Sequence, residues 1–578
     1  MVTTCPSPPM PVTEPRRLRL PFLVLLTAGC GPGLPAADLI LTGGEIVTMD
    51  LAQPRVAAIA IKDGRIIYLG DDRGALDRIG PGTRVVALDG RVVLPGFGDA
   101  HVHPITAGVE EGRCDLTDLE TRDAIVTRIT ECLAALSDSG WLIGSSWSLP
   151  AFPEGNPQRE TLDSLTGDRP AYFSSADGHS AWVNTAALRV AGVDRATADP
   201  LNGRIERDRG GAPSGTLRES AMRLVATRIP PVTADEWRAG LRGALVLLNQ
   251  HGITAFMEAA GNRSLLEAYR DLDVRGELTA RVEVAMRALP EVGMEQLDTL
   301  VAWRDEFGGT RVRAETIKFF VDGVIEGRTA ALLEKYTDRP FAGEPEWRPG
   351  QLDSMVAALV DRGFSIHFHA IGDRAVRMSL DAIERAETGR DRGGRRHQIA
   401  HAQLIHPDDV PRFSSLNVIA NFQPLWAYPD AYIVDLTWPA LGPTRSTWLY
   451  PIGSVAKAHG VLAFGSDWNV SSQVPLLGIE VVVTRRNPRD STGTMDPLLP
   501  DQAISLEDAL RAYTQGAARA IGTDSVAGSL MVGKYGDLVI LGTSPFTVPA
   551  HQIGEVPVVA TLLEGRAVFG NLDSLGKR

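Results

Sequence analysis

From Asp38 the chain alternates apolar and polar residues in short runs, "LILTGGEIVTM", "RVAAIAIKDGRIIYLG" and "TRVVALDGRVVLPG", with Gly and Asp-Gly pairs between them. A period of two broken by turn-forming residues predicts short, half-buried strands. The same style returns near the far end in "GSLMVGKYGD", "DLVILGTSP" and "VVATLLEGRAVFG". The two β-rich ends, 38–96 and 521–578, are expected to pair into one β-sandwich. Between them the pattern changes. Short apolar runs such as "ITAFMEAA", "TARVEVAM", "ETIKFFVDG", "FSIHFHAIGD", "HQIAHAQLI", "LNVIANFQP" and "VLAFGSDW" alternate with helical stretches such as "LDSMVAALVDRG" and "AVRMSLDAIERAE". Strands alternating with helices predict an α/β fold with a parallel sheet, and seven or eight such units predict a closed (β/α)8 barrel, here over 97–520. The segment around 112–240 is too long for a single crossover and is read as an insertion or lid.

The chain has 578 residues and a formal net charge of −13, without a basic cluster beyond short pairs. That balance argues against nucleic acid and against an anionic membrane surface as partner. A small-molecule substrate is expected, and an oligomer is compatible with the sequence. Residues 1–37 differ in kind from the rest. "RRLRLPFLVLLTAGC" joins basic residues to a short apolar run and small residues before Cys30. It reads as a leader for export, with Cys30 as the lipid-bearing residue of a membrane-anchored lipoprotein, or as a signal to a periplasmic or extracellular location. An uncleaved leader on a cytoplasmic protein is the alternative, and translation from Met10 would shorten the leader. The four cysteines, Cys5, Cys30, Cys114 and Cys132, show no C-x-x-C spacing, so free thiols are expected in the folded part.

Chemistry gathers at the predicted strand ends. "LPGFGDAHVHP" supplies His101 and His103, whose i, i+2 spacing on a strand puts both imidazoles on one face. Later strands supply Lys318, His369, His401 and Asp467. Neutral imidazole and carboxylate are natural ligands for zinc and similar divalent ions, and the C-terminal face of a barrel is where such groups converge. One or two ions per chain are expected, with Asp467 as ligand, as proton shuttle, or as both. His367 shares a face with His369 but lies deeper in its strand, which favours a packing role. His397 is assigned a bond to a neighbouring loop. His251, His406, His459 and His551 are assigned to structure or surface. Glu258 ends a strand at the same mouth and is either a contact to substrate or metal or a structural pair. Trp147, Trp426 and Trp468 either line an apolar pocket or pack.

The stretches "LPGFGDAHVHP", "DGHSAWVNTAAL", "IKFFVDGVIEGRTAAL", "HFHAIGDRAV", "RHQIAHAQLIHPDDVPRF", "GSDWNVS" and "AGSLMVGKYGDLVIL" resemble the metal-dependent amidohydrolase superfamily. Within it, they resemble the amidohydrolase-3 group that includes N-substituted formamide deformylase-like proteins. The resemblance covers nearly all of the chain after residue 38. It implies a distorted (β/α)8 barrel with a sandwich from both termini, and a one- or two-metal site, usually zinc. His101 and His103 would hold the more buried ion, and His369 and His401 the other. Lys318 would be carboxylated to bridge them, with a lysine paired to Asp322 as the alternative. Asp177 and His179 match a family motif, His179 as a catalytic group and Asp177 as a substrate contact. Asn469, Ala400 and "KYGDLV" depart from the family pattern without removing a ligand.

The expected activity is hydrolysis of a non-peptide C–N bond, an N-substituted formamide or related amide being the leading substrate. Cyclic amides, deamination and ester or lactone hydrolysis use the same barrel. A ligand-binding lipoprotein without chemistry is the remote alternative.

Overall fold

A computed structural model describes residues 34–135, 140–390, 394–490 and 492–575. The body of the leader, with Cys30, lies outside the described residues.

Both chain ends build one sandwich. A six-stranded sheet takes Glu45–Val47, Arg55–Val56 and Val92–Pro95 from the N-terminal side and Leu538–Leu541, Val558–Leu563 and Arg566–Phe569 from the C-terminal side. The two halves meet where Val92–Pro95 runs antiparallel to Leu538–Leu541, with Val93 opposite Ile540. A four-stranded sheet of Leu39–Thr42, Ala58–Lys62, Arg65–Gly70 and Arg84–Ala87 covers it. Leu41, Ile59 and Ile61 of the smaller sheet share one core with Ile46, Val93, Leu538 and Ile540 of the larger. Each such fully buried side chain contributes about 1.5–3 kcal/mol of transfer free energy, enough to hold together segments so remote in sequence.

Eight parallel strands form the barrel: β1 Phe97–Val102, β2 Ile253–Gly261, β3 Arg281–Arg287, β4 Val312–Phe320, β5 Ser365–Ala370, β6 Gln398–His401, β7 Ile419–Phe422 and β8 Val461–Phe464. They are buried almost throughout, which is why their sequences read as near-continuous apolar runs rather than alternating ones. Successive strands pair from β1 through β8. The seam between β8 and β1 is closed by one buried carboxylate and by the backbone beyond β8. The Asp99 carboxylate accepts from the Ser466 backbone N–H at 3.0 Å and from its hydroxyl at 2.5 Å, and the Asp467 N–H donates to the His101 carbonyl at 2.7 Å.

The insertion is a six-stranded sheet between β1 and β2, with spatial order Gly203–Arg207, Pro213–Glu219, Ser180–Val183, Ala171–Ser175, Leu142–Trp147 and Cys114–Asp115. It has apolar cores of its own. The helix Ala234–Gln250, started by a capping box of Thr233 and Glu236, falls at the end of the predicted insertion but packs on the barrel helix Pro104–Glu110. A Cβ on Gly108 would fall 2.1 Å from the Gly240 carbonyl oxygen, so the two helices touch through glycine.

One expectation is corrected. Cys114 and Cys132 form a disulfide, with Cα atoms 5.7 Å apart, within the span such a bond requires. Their separation of 18 residues carries no recognisable spacing. The helix Arg122–Ala135 brings Cys132 back over the strand Cys114–Asp115.

Candidate active site

The C-terminal ends of the barrel strands bring the predicted ligands together. His101 is the fifth residue of β1, His103 follows it as the N-cap of Pro104–Glu110, and Asp467 lies three residues beyond β8. Asp467 Oδ1 stands 3.4 Å from His101 Nε2 and 3.2 Å from His103 Nε2, and Oδ2 stands 3.9 Å from His401 Nδ1. Donor atoms of His101, His401 and Asp467 lie within 4.8 Å of one another, all three residues buried. The ring of His401 is 4.6 Å from that of His101 and 4.5 Å from that of His369. His401 and Asp467 have φ of 68° and 56°, a conformation that costs about 1–3 kcal/mol and concentrates at functional sites.

The donor set fits a divalent ion. Asp467 Oδ1 is buried without a hydrogen bond despite its two imidazole neighbours, an arrangement suited to ligands facing a shared ion. Burial, reinforced by neighbouring cationic groups, holds His101, His369 and His401 well below the usual imidazole range, so they stay neutral and able to bind metal. Burial works against charge on Asp467 too, but His103, His401 and Lys318 outweigh it and keep the carboxylate ionised. For His103 burial is likewise outweighed, here by Asp467 and Glu258, which raise it to about 9.

Lys318 on β4 is fully buried, and its Nζ has no hydrogen-bond partner among the described residues. Burial holds it down at about 7, so the amine is substantially neutral at physiological pH, as carboxylation requires. Asp322 does not pair with it. Its carboxylate accepts from the backbone N–H groups of Ile371, Gly372 and Ala331.

The insertion delivers a further group. The His179 ring lies 5.0 Å from that of His369, and its Nδ1 is 2.8 Å from Glu219 Oε2. Glu219 also accepts from the Thr329 hydroxyl at 2.6 Å. Asp177 accepts from the His179 N–H at 3.0 Å, and its Oδ2 is buried and unpartnered. A cavity of about 1220 Å³ joins these groups: His101, His103, Asp177, His179, Glu219, His369, His401 and Asp467 all line it.

Other predicted contacts fall elsewhere. Glu258 stands behind His103, with Oε1 3.5 Å from Nδ1 and Oε2 accepting from the Tyr269 hydroxyl at 2.9 Å. The structure does not bring Trp147 to the cavity. It is buried in the core of the insertion, where its indole N–H donates to the Phe173 carbonyl. Trp426 stacks on His401 with rings 2° from parallel, Trp468 is buried, and no tryptophan lines the cavity. His397 bonds Glu387, the last residue of the helix Asp373–Glu387, and the Ile366 N–H of β5, rather than a neighbouring loop.

The sequence reading undervalued His367, whose Nε2 lies 2.8 Å from His101 Nδ1, and missed three other residues. Gln423 holds His401 Nδ1 at 2.8 Å, Asp99 closes the barrel seam, and Glu219 sets His179. Asp99 sits at i−2 from His101, so strand alternation alone places it on the same face. Gln423 and Glu219 carry no such signal.

A model of the amidohydrolase family matches residues 84–569. The chain is 30% identical over 550 residues to the protein LONG AFTER FAR-RED 3 of Arabidopsis thaliana, covering 92% of each. It is 24% identical over 544 residues to N-substituted formamide deformylase of Arthrobacter pascens, covering 91% of this chain and 97% of that one. A crystal structure of an uncharacterized metal-dependent hydrolase from Pyrococcus horikoshii superposes with a TM-score of 0.70 at 25% identity, over 89% of this chain and 99% of that one.

Proposed function

The chain belongs to the amidohydrolase family, and from that premise we propose that it hydrolyses the C–N bond of a small non-peptide amide, with an N-substituted formamide as the nearest named substrate. The observation that carries this reading is the convergence of His101, His401 and Asp467 on the cavity floor with His179 across from them. Zinc is the proposed ion, which His101, His103, His369, His401 and Asp467 would hold, with a carboxylated Lys318 as a further ligand where two ions bind. Such an ion, when bound, polarises a carbonyl and makes water a nucleophile at neutral pH.

The chain's own groups do the rest. His179, fixed by Glu219, faces the substrate carbonyl and donates a hydrogen bond to its oxygen as charge develops there. Asp467 takes a proton from the attacking water and returns it to the leaving nitrogen. Glu258 faces His103 Nδ1 at 3.5 Å and supplies negative charge behind the ring. Export is part of the same proposal, and the Cys114–Cys132 disulfide supports it because such bonds persist in oxidising compartments.

The test is to prepare the full chain with and without zinc and assay formamides, other amides, cyclic amides and esters for free amine, formate or ammonia. Amine release that a chelator abolishes and zinc restores is the expected result. Turnover of esters alone, or turnover indifferent to the chelator, overturns the assignment.

A further inference from the structure

We infer that Arg287, backed by the Phe320 ring, recognises a carboxylate on the substrate, so that the amides hydrolysed here carry an acid group near the scissile bond. The inference rests on the amide-hydrolase reading above.

Arg287 is the last residue of β3 and its side chain opens into the cavity. The guanidinium lies 4.5 Å over the centre of the Phe320 ring, and that ring is 5.2 Å from His369. The charge therefore stands one aromatic ring away from the catalytic floor. The ring covers one side of the guanidinium, whose N–H edge has the fork geometry that grips two carboxylate oxygens at once.

Among the described residues Arg287 makes no hydrogen bond and no ion pair, and the acids around it are largely engaged. Glu291 pairs with Arg223 at 2.5 Å. Glu219 is held by His179 and Thr329. Glu346 makes no side-chain hydrogen bond or ion pair with it among the described residues; its charge is the strongest attraction on the Arg287 cation, while burial beside Glu219 pushes its carboxyl up to about 7 and Arg287 pulls it down. Arg348 and Arg374 line the same cavity, also without side-chain partners among the described residues, and add to the attraction for an anion. The nearby carboxyl groups disfavour a dianion such as a phosphate, because like charges in a confined space repel. A single carboxylate matches the two-pronged edge of the Arg287 guanidinium.

The test uses a matched pair, N-formyl-leucine and N-(3-methylbutyl)formamide, which differ only by the carboxylate. With zinc-loaded full-length protein, kcat/KM for the acid is expected to exceed that for the neutral partner by about tenfold or more, the scale of a hydrogen bond to a charged group. In Arg287→Met that ratio falls toward one, and Arg287→Lys restores part of it. Zinc content equal to the parent shows that the variants keep their fold. A preference for the neutral partner, or a ratio unmoved by Arg287→Met, overturns the inference while leaving amide hydrolysis intact. If neither compound turns over, calorimetric binding of the same pair decides. Tighter binding of the acid that Arg287→Met abolishes supports the carboxylate site even though the hydrolase reading fails, and equal binding sinks it.

Discussion

His367 Nε2 sits 2.8 Å from His101 Nδ1, both rings fully buried inside the barrel. One nitrogen of His101 is thereby committed to His367, and its Nε2 is left facing Asp467. A partner of this kind fixes the tautomer and ring orientation of a metal-binding histidine, and its loss typically costs 10–100-fold in metal affinity. His367→Asn is therefore expected to weaken zinc binding by about that factor while secondary structure is retained. Competition against a chromogenic chelator measures it, and unchanged affinity would assign His367 to packing alone.

Lys318 provides a second test. Its unpartnered, buried nitrogen is expected to be carboxylated and to bridge two ions. Elemental analysis of protein purified without chelator should find about two zinc ions per chain in the parent and fewer in Lys318→Ala, since two-ion sites depend on their bridging group. One ion in both proteins would remove the bridge and leave a single-metal hydrolase.

Glu387, at the end of the helix Asp373–Glu387, gives a pH prediction away from the cavity. Burial opposes its charge, but bonds from His397 and Arg395 outweigh this and hold its carboxyl at about 2, against an ordinary value of 4.5. A depressed carboxylate adds stability that is fully present above its unfolded pKa and is lost as pH falls through the folded one. The urea midpoint should therefore drop between pH 4.5 and 2, and Glu387→Gln should be less stable than the parent at pH 6 with a shallower decline over that window. Parallel declines in the two proteins would show that the pair contributes no acid sensitivity.

The Cys114–Cys132 disulfide closes a loop of 18 residues. A loop of that size predicts about 3 kcal/mol of stabilisation in the chain-entropy account. Paired replacement by serine should lower the melting temperature of the insertion or of the whole domain. Thiol titration of the unreduced, denatured full chain should find at most the two thiols of Cys5 and Cys30, and four reactive thiols would restore the expectation of free cysteines.

Much of this protein was legible in its sequence for a local reason. Strand alternation, the change from period two to strand-helix alternation, and the i, i+2 spacing of His101 and His103 are properties of consecutive residues, and backbone geometry turns them into direction. The barrel, the two-ended sandwich and the positions of Lys318, His369, His401 and Asp467 at strand ends follow from such patterns together with a family likeness. What only the tertiary structure decided is which side chains meet across the barrel. Whether Glu258 touches substrate or stands behind His103, whether Trp147 faces the cavity or the core of the insertion, that His367 holds His101, that Glu219 holds His179, and that Cys114 reaches Cys132 all depend on contacts between residues 18 to 266 positions apart, set by how strands and the insertion pack. A residue's type limits what it can bond to, but its partner is chosen by the side chains that packing brings within about 3 Å of it, and no local pattern encodes that choice.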